Sequence, residues 1–148
     1  MVSEKEKMLA GEMYNAEDPQ LSAERLRARR LCKRFNDSDP ADETVRRRIL
    51  QELLGKSGKN ICIQSPFRCD YGYNIHLGND VYFNFNCVVL DVSPVVIGDT
   101  VLFGPNVQIY TATHPMDYEQ RRTWLEYSKP ITIGSDIWVG GGAIICPG

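Results

Sequence analysis

The chain contains few of the residues that mark several common classes of protein. Its 148 residues include only two histidines, His76 and His114, and five cysteines that form no C-x-x-C pair. Neither a zinc ribbon nor a redox motif is therefore expected, and we interpret the cysteines as reduced thiols of a cytoplasmic protein. No apolar run approaches ~18 residues, so no membrane span is expected. Residues 1–7 hold no apolar core, so secretion is not expected either.

A surplus of charge of one sign is also lacking. The 17 basic and 19 acidic residues leave a net charge of −2, which argues against a nucleic-acid binder. Residues 1–60 hold 13 basic and 11 acidic side chains, and residues 61–148 hold 4 and 8. We interpret the arginine clusters of the first part as a solvated helix face, because acidic residues are interleaved with them.

The first 60 residues have the pattern of a helical segment. Ser3, with Glu6 three positions later, predicts a capping box at the start of a short helix. A second helix is predicted over residues 21–35, and a third is predicted to begin after Asp42 and to stop at Gly55. The apolar stripe of the second helix is expected to consist of Leu26, Leu31 and Phe35.

From residue 61 onward the apolar residues recur every six positions. They stand at Leu77, Phe83 and Val89, then at Ile97, Phe103 and Ile109, and then at Ile133, Val139 and Ile145. A hexapeptide period predicts a parallel β-helix in which these side chains point inward and stack on one another. Glycine and asparagine are expected to take up the positive-φ conformations of the turns. A β-sandwich would need a period of two, which is absent.

Two breaks in this period are informative. The eight residues from Val89 to Ile97 include two extra ones, which predict a bulge near Ser93 and Pro94. Residues 114–130 are polar, bounded by prolines and out of phase, so they predict a loop extruded from the coil. Long loops on rigid scaffolds are often functional.

Beyond the hexapeptide period, six stretches of the chain have a distinctive sequence. They are Glu6–Glu12, Phe67–Ile75, Asn84–Asn86, Tyr110–Pro115, Lys129–Gly134 and Trp138–Gly141. Together with the period, these stretches resemble one family, the maltose and galactoside O-acetyltransferases of the hexapeptide-repeat acyltransferases. The maltose branch is the more similar, and the likeness covers essentially the whole chain.

The resemblance implies a fold, an assembly and a reaction. The fold would be a mainly β, left-handed parallel β-helix over residues 61–148, preceded by an α-helical segment over residues 1–60. The assembly would be a homotrimer with active sites between subunits. The reaction would be direct transfer of an acetyl group from acetyl-CoA to a sugar hydroxyl. Family members continue with further coils, so Gly148 is interpreted as a C-terminal truncation in mid-repeat.

Acetyl transfer to a hydroxyl needs a base, for which histidine is the usual choice. His114 lies where the pattern leaves the coil and matches the family's catalytic position, whereas His76 is interpreted as structural. Glu126 and Asp91 are the candidates to orient the base, and the resemblance favours Glu126.

The resemblance also implies binding residues for both substrates. Around the sugar it places Arg25, Asp70, Tyr82, Asn84 and Asp91. Around CoA it places Trp138, whose indole would cover the pantetheine arm. It also places there the turn of Gly140, Gly141 and Gly142, whose backbone N–H groups would hold the oxyanion.

Three other functions stay open on the sequence alone. A truncated chain could fold and oligomerise without catalysis, and an acyltransferase of the same superfamily could use an acceptor that is not a sugar. Some left-handed β-helices are zinc carbonic anhydrases, but two histidines cannot supply three ligands, so no metal is expected.

Overall fold

Three helices open the chain in the computed structural model, which describes residues 2–148. They are α1 (Glu4–Ala10), α2 (Pro19–Asp37) and α3 (Glu43–Leu53). The capping box of Ser3 and Glu6 is confirmed, and the Asp42 side chain caps α3 by accepting from the N–H of Val45. The second helix is two residues longer at each end than predicted, because Asp18 caps it and Pro19 occupies its first turn. Leu26 is exposed, so its predicted place in the apolar stripe is wrong.

Short strands then wind around a three-sided coil. The first face holds β3 (Ile75–Leu77), β6 (Val95–Ile97) and β11 (Ile131–Ile133). The second face holds β1 (Cys62–Ile63), β4 (Val81–Phe83), β7 (Val101–Phe103) and β12 (Ile137–Val139). The third face holds β2 (Phe67–Cys69), β5 (Cys87–Leu90), β8 (Gln108–Tyr110) and β13 (Ile144–Ile145). All neighbours within these faces pair in parallel, as a β-helix requires.

The prediction that the residues of the six-residue period point into the interior of the coil is confirmed. Seven of its nine positions are buried, and Val139 and Ile145 of the last coil are partly buried against the same core. Equivalent residues stack in register, so that the rings of Phe83 and Phe103 lie parallel with centroids 4.3 Å apart. Each stacked aliphatic or aromatic side chain contributes roughly 1.5–3 kcal/mol of burial.

The turns need residues with positive φ at some positions and residues without a side chain, for close stacking, at others. Positive φ occurs at Asn86, Asn106 and Gly142 at one corner, as expected, but Asp80 and Thr100 have it at another. Gly98 has an ordinary φ and is needed for close stacking instead, because a Cβ there would lie 2.8 Å from the backbone of Gly134. The expectation that glycine serves the turns through positive φ is therefore wrong at this position.

The helices and the coil share one hydrophobic core. Ala28, Leu31 and Phe35 of α2 belong to the same cluster as the inward residues of the coil. A second cluster joins Met8, Tyr14 and Leu21 to Tyr71 and Val92. Val92 and Ser93 are buried, so the extra residues of the period do not bulge outward. They pack under the N-terminal helices instead.

Residues 114–130 leave the coil as predicted, but they are not structureless. Just before them lies β9 (Ala112–Thr113), and within them are a short helix, α4 (Tyr118–Arg121), and β10 (Tyr127–Ser128). The strands β9 and β10 pair antiparallel, with Tyr127 opposite Thr113. This hairpin returns the chain to β11 on the first face, and Glu126 beside it forms an antiparallel bridge with Tyr14.

Candidate active site

The residues singled out in the sequence fall along two edges of the third face. The His114 edge is the corner between the third and first faces, formed by residues 70–74, 91–94 and 111–130. The Asn84 edge is the corner between the second and third faces, formed by residues 84–86, 104–107 and 140–143. Strand β5, which has four residues, runs between them and spans roughly 13 Å.

At the His114 edge the imidazole faces the Glu126 carboxylate. Nε2 of His114 lies 3.7 Å from Oε2 of Glu126, and the side chain of His114 is 53% exposed whereas that of Glu126 is 17% exposed. This distance is too long for a hydrogen bond, so the contact between the two groups is electrostatic. The imidazole itself is open to an incoming molecule.

The carboxylate of Glu126 is fixed by the N-terminal segment. The Tyr14 hydroxyl donates to Oε1 of Glu126 at 2.5 Å. The two backbones also exchange hydrogen bonds of 3.0 and 3.2 Å. Tyr14 is fully buried, and both its burial and the neighbouring carboxylate hold its pKa well above the usual value, so it stays a donor. Glu126 therefore keeps one oxygen free toward His114.

A second carboxyl, that of Asp70, lies beside this group. Burial and the charge of Glu126 raise the pKa of Asp70 to about 6, and Arg25 and Arg29 oppose that rise. Arg25 reaches over from α2 and donates to the Tyr71 hydroxyl at 3.0 Å. The structure thus brings four of the predicted residues, namely Arg25, Asp70, His114 and Glu126, to one edge.

Asp91 lies at the His114 edge, but its side chain is beneath the surface. Its side chain is fully buried, and its carboxylate accepts from the backbone N–H groups of Asp70, Tyr71 and Asn74 at 2.9–3.3 Å. Burial raises its pKa to about 7, and the hydrogen bonds oppose that rise. The expectation that Asp91 touches the substrate directly is corrected, because within this chain it supports the backbone that carries Asp70.

The remaining predicted residues lie at the Asn84 edge and on the second face, which leads into it. Tyr82 and Trp138 share an outward column on the second face, since both pair in register with Leu102. Trp138 is 77% exposed. Asn84 follows β4, and its side chain accepts from the N–H of Phe85. The glycine turn of residues 140–142 follows β12, and the N–H of Gly142 already donates to the Pro105 carbonyl.

Sequence reasoning missed Tyr14. It lies between α1 and α2 in a segment without periodicity, and its partner is 112 positions away along the chain. No local pattern indicates such a contact. The burial of Asp91 had a weak signal, because it stands between the apolar residues Leu90 and Val92.

Three further findings concern the cysteines, the possible metal ligands and the helices of the described part of the chain. All five cysteines are free thiols. Within residues 2–148, no group of three or more His, Cys, Asp and Glu side chains is arranged to hold a metal ion. Of the helices described, none has the length and apolar character needed to cross a membrane.

Comparison with known proteins gives consistent matches. Residues 7–58 match the maltose acetyltransferase hexapeptide capping motif. Nodulation protein L of Rhizobium leguminosarum bv. viciae is 53% identical over 99% of this chain and 77% of its own length.

Two solved structures share both fold and sequence with the chain. A maltose O-acetyltransferase from Clostridium difficile 630 matches with a TM-score of 0.97 and 46% identity, over 99% of this chain and 78% of that one. A hexapeptide-repeat acetyltransferase from Vibrio cholerae O1 biovar eltor, complexed with acetyl coenzyme A, matches with a TM-score of 0.89 and 42% identity, over 99% and 79%. The chain therefore belongs to the maltose and galactoside O-acetyltransferase family and is an O-acetyltransferase built on a left-handed parallel β-helix.

Proposed function

We propose that this chain transfers the acetyl group of acetyl-CoA directly to a hydroxyl of a sugar such as maltose or glucose, with His114 as the general base. The observation that carries this proposal is the arrangement of the His114 edge. An exposed imidazole lies 3.7 Å from a carboxylate that Tyr14 holds in place. A similar protein binds acetyl-CoA, which supports the choice of donor.

His114 removes the proton from the acceptor hydroxyl as the hydroxyl oxygen attacks the thioester carbonyl. The negative charge of Glu126 stabilises the imidazolium that forms, which lowers the barrier to this step. When the tetrahedral intermediate collapses, the carbon–sulfur bond breaks and the imidazolium returns its proton to the departing CoA thiolate. No acyl-enzyme is needed in this sequence of steps.

Arg25 and Asp70 are proposed to bind the sugar. Sugar hydroxyls both donate and accept hydrogen bonds, and a carboxylate next to a guanidinium offers both partners. The two groups lie on the same edge as the base, where the pKa of Asp70 responds to both Arg25 and Glu126. A bound ring held there would present one hydroxyl to His114.

The Asn84 edge is proposed to supply the rest of the site from a second copy of the chain. General-base catalysis needs heavy atoms within about 3 Å of each other, whereas β5 separates the two edges by roughly 13 Å. A head-to-tail contact can place the Asn84 edge of one copy against the His114 edge of the next, and three such contacts close a ring. Tyr82, Leu102 and Trp138 form an outward column that suits this contact.

In that ring the glycine turn would hold the oxyanion and Trp138 would cover the pantetheine arm of CoA. Because Gly142 already donates its N–H to Pro105, the donors we propose are the N–H groups of Gly140 and Gly141. One such donor lowers the barrier enough to raise the rate by about 10²–10³.

The test is release of CoA thiol from acetyl-CoA in the presence of glucose, maltose, a galactoside and, as an acceptor that is not a sugar, serine. We expect release that depends on a sugar and forms an equal amount of acetylated sugar. Release with serine alone would overturn the sugar assignment while leaving the enzyme class intact. Formation of a labelled acetyl-protein from acetyl-CoA would overturn direct transfer.

A further inference from the structure

Two buried cysteines meet where α2 crosses the end of β2. Cys32 lies on α2 and Cys69 is the last residue of β2, and their sulfur atoms are 3.7 Å apart in a thiol–thiol hydrogen bond. The other cysteines differ, since Cys62 and Cys146 are exposed and the thiol of Cys87 donates to the Gly104 carbonyl. The acetyl-transfer mechanism uses neither Cys32 nor Cys69.

The two thiols have unequal tendencies to ionise. The hydrogen bond from Cys69 lowers the pKa of Cys32, and the nearby Arg68 acts in the same direction. The same contact and burial raise the pKa of Cys69 well above its usual value. Since the thiolate is the reactive form, Cys32 is the sulfur to be oxidised first and Cys69 is the resolving thiol.

A pocket of about 500 Å³ opens onto the pair. Both cysteines line it, together with three cations, Arg29, Lys33 and Arg68, and two carboxylates, Asp37 and Asp70, of which Asp37 forms an ion pair with Lys33. Among these cations Arg68 favours the thiolate of Cys32, and the volume of the pocket admits a small oxidant such as hydrogen peroxide. Although Cys32 and Cys69 are buried, this pocket offers a route by which a small oxidant can approach them.

We propose that Cys32 and Cys69 form a peroxide-sensitive dithiol that closes into a reversible disulfide. The Cys32 thiolate attacks one oxygen of hydrogen peroxide, the O–O bond breaks, and Cys32 sulfenic acid and hydroxide form. The Cys69 sulfur then attacks the Cys32 sulfur, expelling the sulfenic oxygen as water. The balance is two thiols and one peroxide to one disulfide and two waters. The sulfurs need to close from 3.7 Å to about 2.05 Å.

The disulfide would act on the acceptor side of the active site, a consequence that rests on the function proposed above. The new bond draws together α2, which carries Arg25, and the end of β2, which leads directly into Asp70. The acceptor KM is therefore expected to rise on oxidation. The KM for acetyl-CoA is expected to stay unchanged, because Trp138 lies on the second face and Gly140 at the Asn84 edge, on the other side of β5.

The experiment exposes the full chain to hydrogen peroxide, blocks remaining thiols and maps the peptides by mass spectrometry. We expect a loss of about 2 Da, a peptide pair linked through Cys32 and Cys69, and a Tm raised by roughly 5–10 °C. Dithiothreitol should reverse all three changes. Linkage of another pair, or no loss of mass, would overturn the proposal, and neither readout depends on catalysis.

Matched variants separate this pair from the other thiols. Cys62→Ser and Cys146→Ser should still form the disulfide, whereas Cys32→Ser should not. If Cys32→Ser fails to fold, Cys69→Ala tests the order of events, because its Cys32 should then be trapped as a sulfenic acid by dimedone. Absence of that adduct would contradict Cys32 as the first sulfur oxidised. An unchanged acceptor KM in the oxidised protein would overturn the effect on the active site.

Discussion

The two edges of the third face differ in what covers them. The part of the His114 edge at residues 70–74 and 91–94 is covered by the chain's own N-terminal segment, where Met8, Tyr14 and Leu21 pack against Tyr71 and Val92. No segment among the described residues covers the Asn84 edge in this way, and Phe85 and Trp138 are exposed beside it. One edge is therefore organised within the chain, and the other presents its groups outward. This comparison indicates that the helical segment does more than close the coil, because it also fixes the Glu126 carboxylate next to His114.

Removing the base should have the largest effect on the His114 edge. His114→Ala is expected to lower kcat by about 10²–10⁴, the contribution of a positioned general base. His76→Ala is the matched control, because His76 lies on β3 of the first face, where its imidazole is next to Gly55 and not to Glu126. Steady-state thiol release measures both variants. Equal turnover in His114→Ala and the unmodified chain would remove His114 from the mechanism.

Removing the buried support of the same edge should change stability. Asp91→Ala leaves three backbone N–H groups without their acceptor and is expected to lower the free energy of unfolding by about 3 kcal/mol. Asp99→Ala is the control, since the exposed Asp99 carboxylate accepts from the N–H of Asn79. Urea denaturation compares the two variants. A loss in Asp91→Ala no greater than in Asp99→Ala would contradict the structural role of Asp91.

The contact between the N-terminal segment and Glu126 should have a smaller effect. Tyr14→Phe removes one hydrogen bond to a carboxylate, about 1.5 kcal/mol, and is expected to lower kcat by about tenfold with little change in the KM for acetyl-CoA. Tyr73→Phe is its control, because the Tyr73 hydroxyl donates to Glu24 instead. A similar loss of kcat in both variants would mean that Tyr14 only stabilises the fold.

The smallest effect concerns the pH dependence of acceptor binding. The pKa of Asp70 is raised to about 6, so this carboxyl gains a proton as the pH falls through that value and ceases to accept hydrogen bonds as a carboxylate. The acceptor Kd, measured by calorimetry, should rise about twofold when the pH is lowered from 8 to 6. Asp70→Asn should bind more weakly and lose this dependence. A Kd in Asp70→Asn that keeps the same pH profile would assign the titration to another group.

A fall in pH, which weakens acceptor binding through Asp70, is expected to stabilise the fold through Asp70 and Asp91. The folded-state pKa values of Asp70 and Asp91, about 6 and about 7, lie above their ordinary value. The folded protein therefore binds more protons than the unfolded chain between about pH 4 and pH 7, and these two groups make it less stable as the pH rises through that window.

Much of the coil could be predicted from the sequence because its signal is local and repeated. Every sixth residue is apolar, so Leu77, Phe83 and Val89 already mark an interior position. The starts of helices could also be predicted where the sequence contains an N-cap residue, as at Ser3 and Asp42. The handedness of the coil came from the family resemblance, since spacing alone does not determine it.

The site was harder to predict because its contacts are long-range. Tyr14 and Glu126 are 112 positions apart, and no periodicity connects them. Asp91 is of a residue type that commonly binds sugars, but its side chain points inward and accepts hydrogen bonds from three backbone N–H groups. This orientation depends on the backbone path of the corner, which the sequence does not show. Nor does the sequence pattern show that the predicted residues divide between two edges.

The most direct measurement mixes two inactive variants. His114→Ala removes the base from the His114 edge, and Asn84→Ala removes from the Asn84 edge the side chain that we propose binds the sugar of the neighbouring copy, so each variant alone should be nearly inactive. If each site combines one edge from each of two copies, subunits mixed at random in equal amounts should recover about one quarter of unmodified activity. Activity no higher than the average of the two separate variants would contradict a site shared between copies.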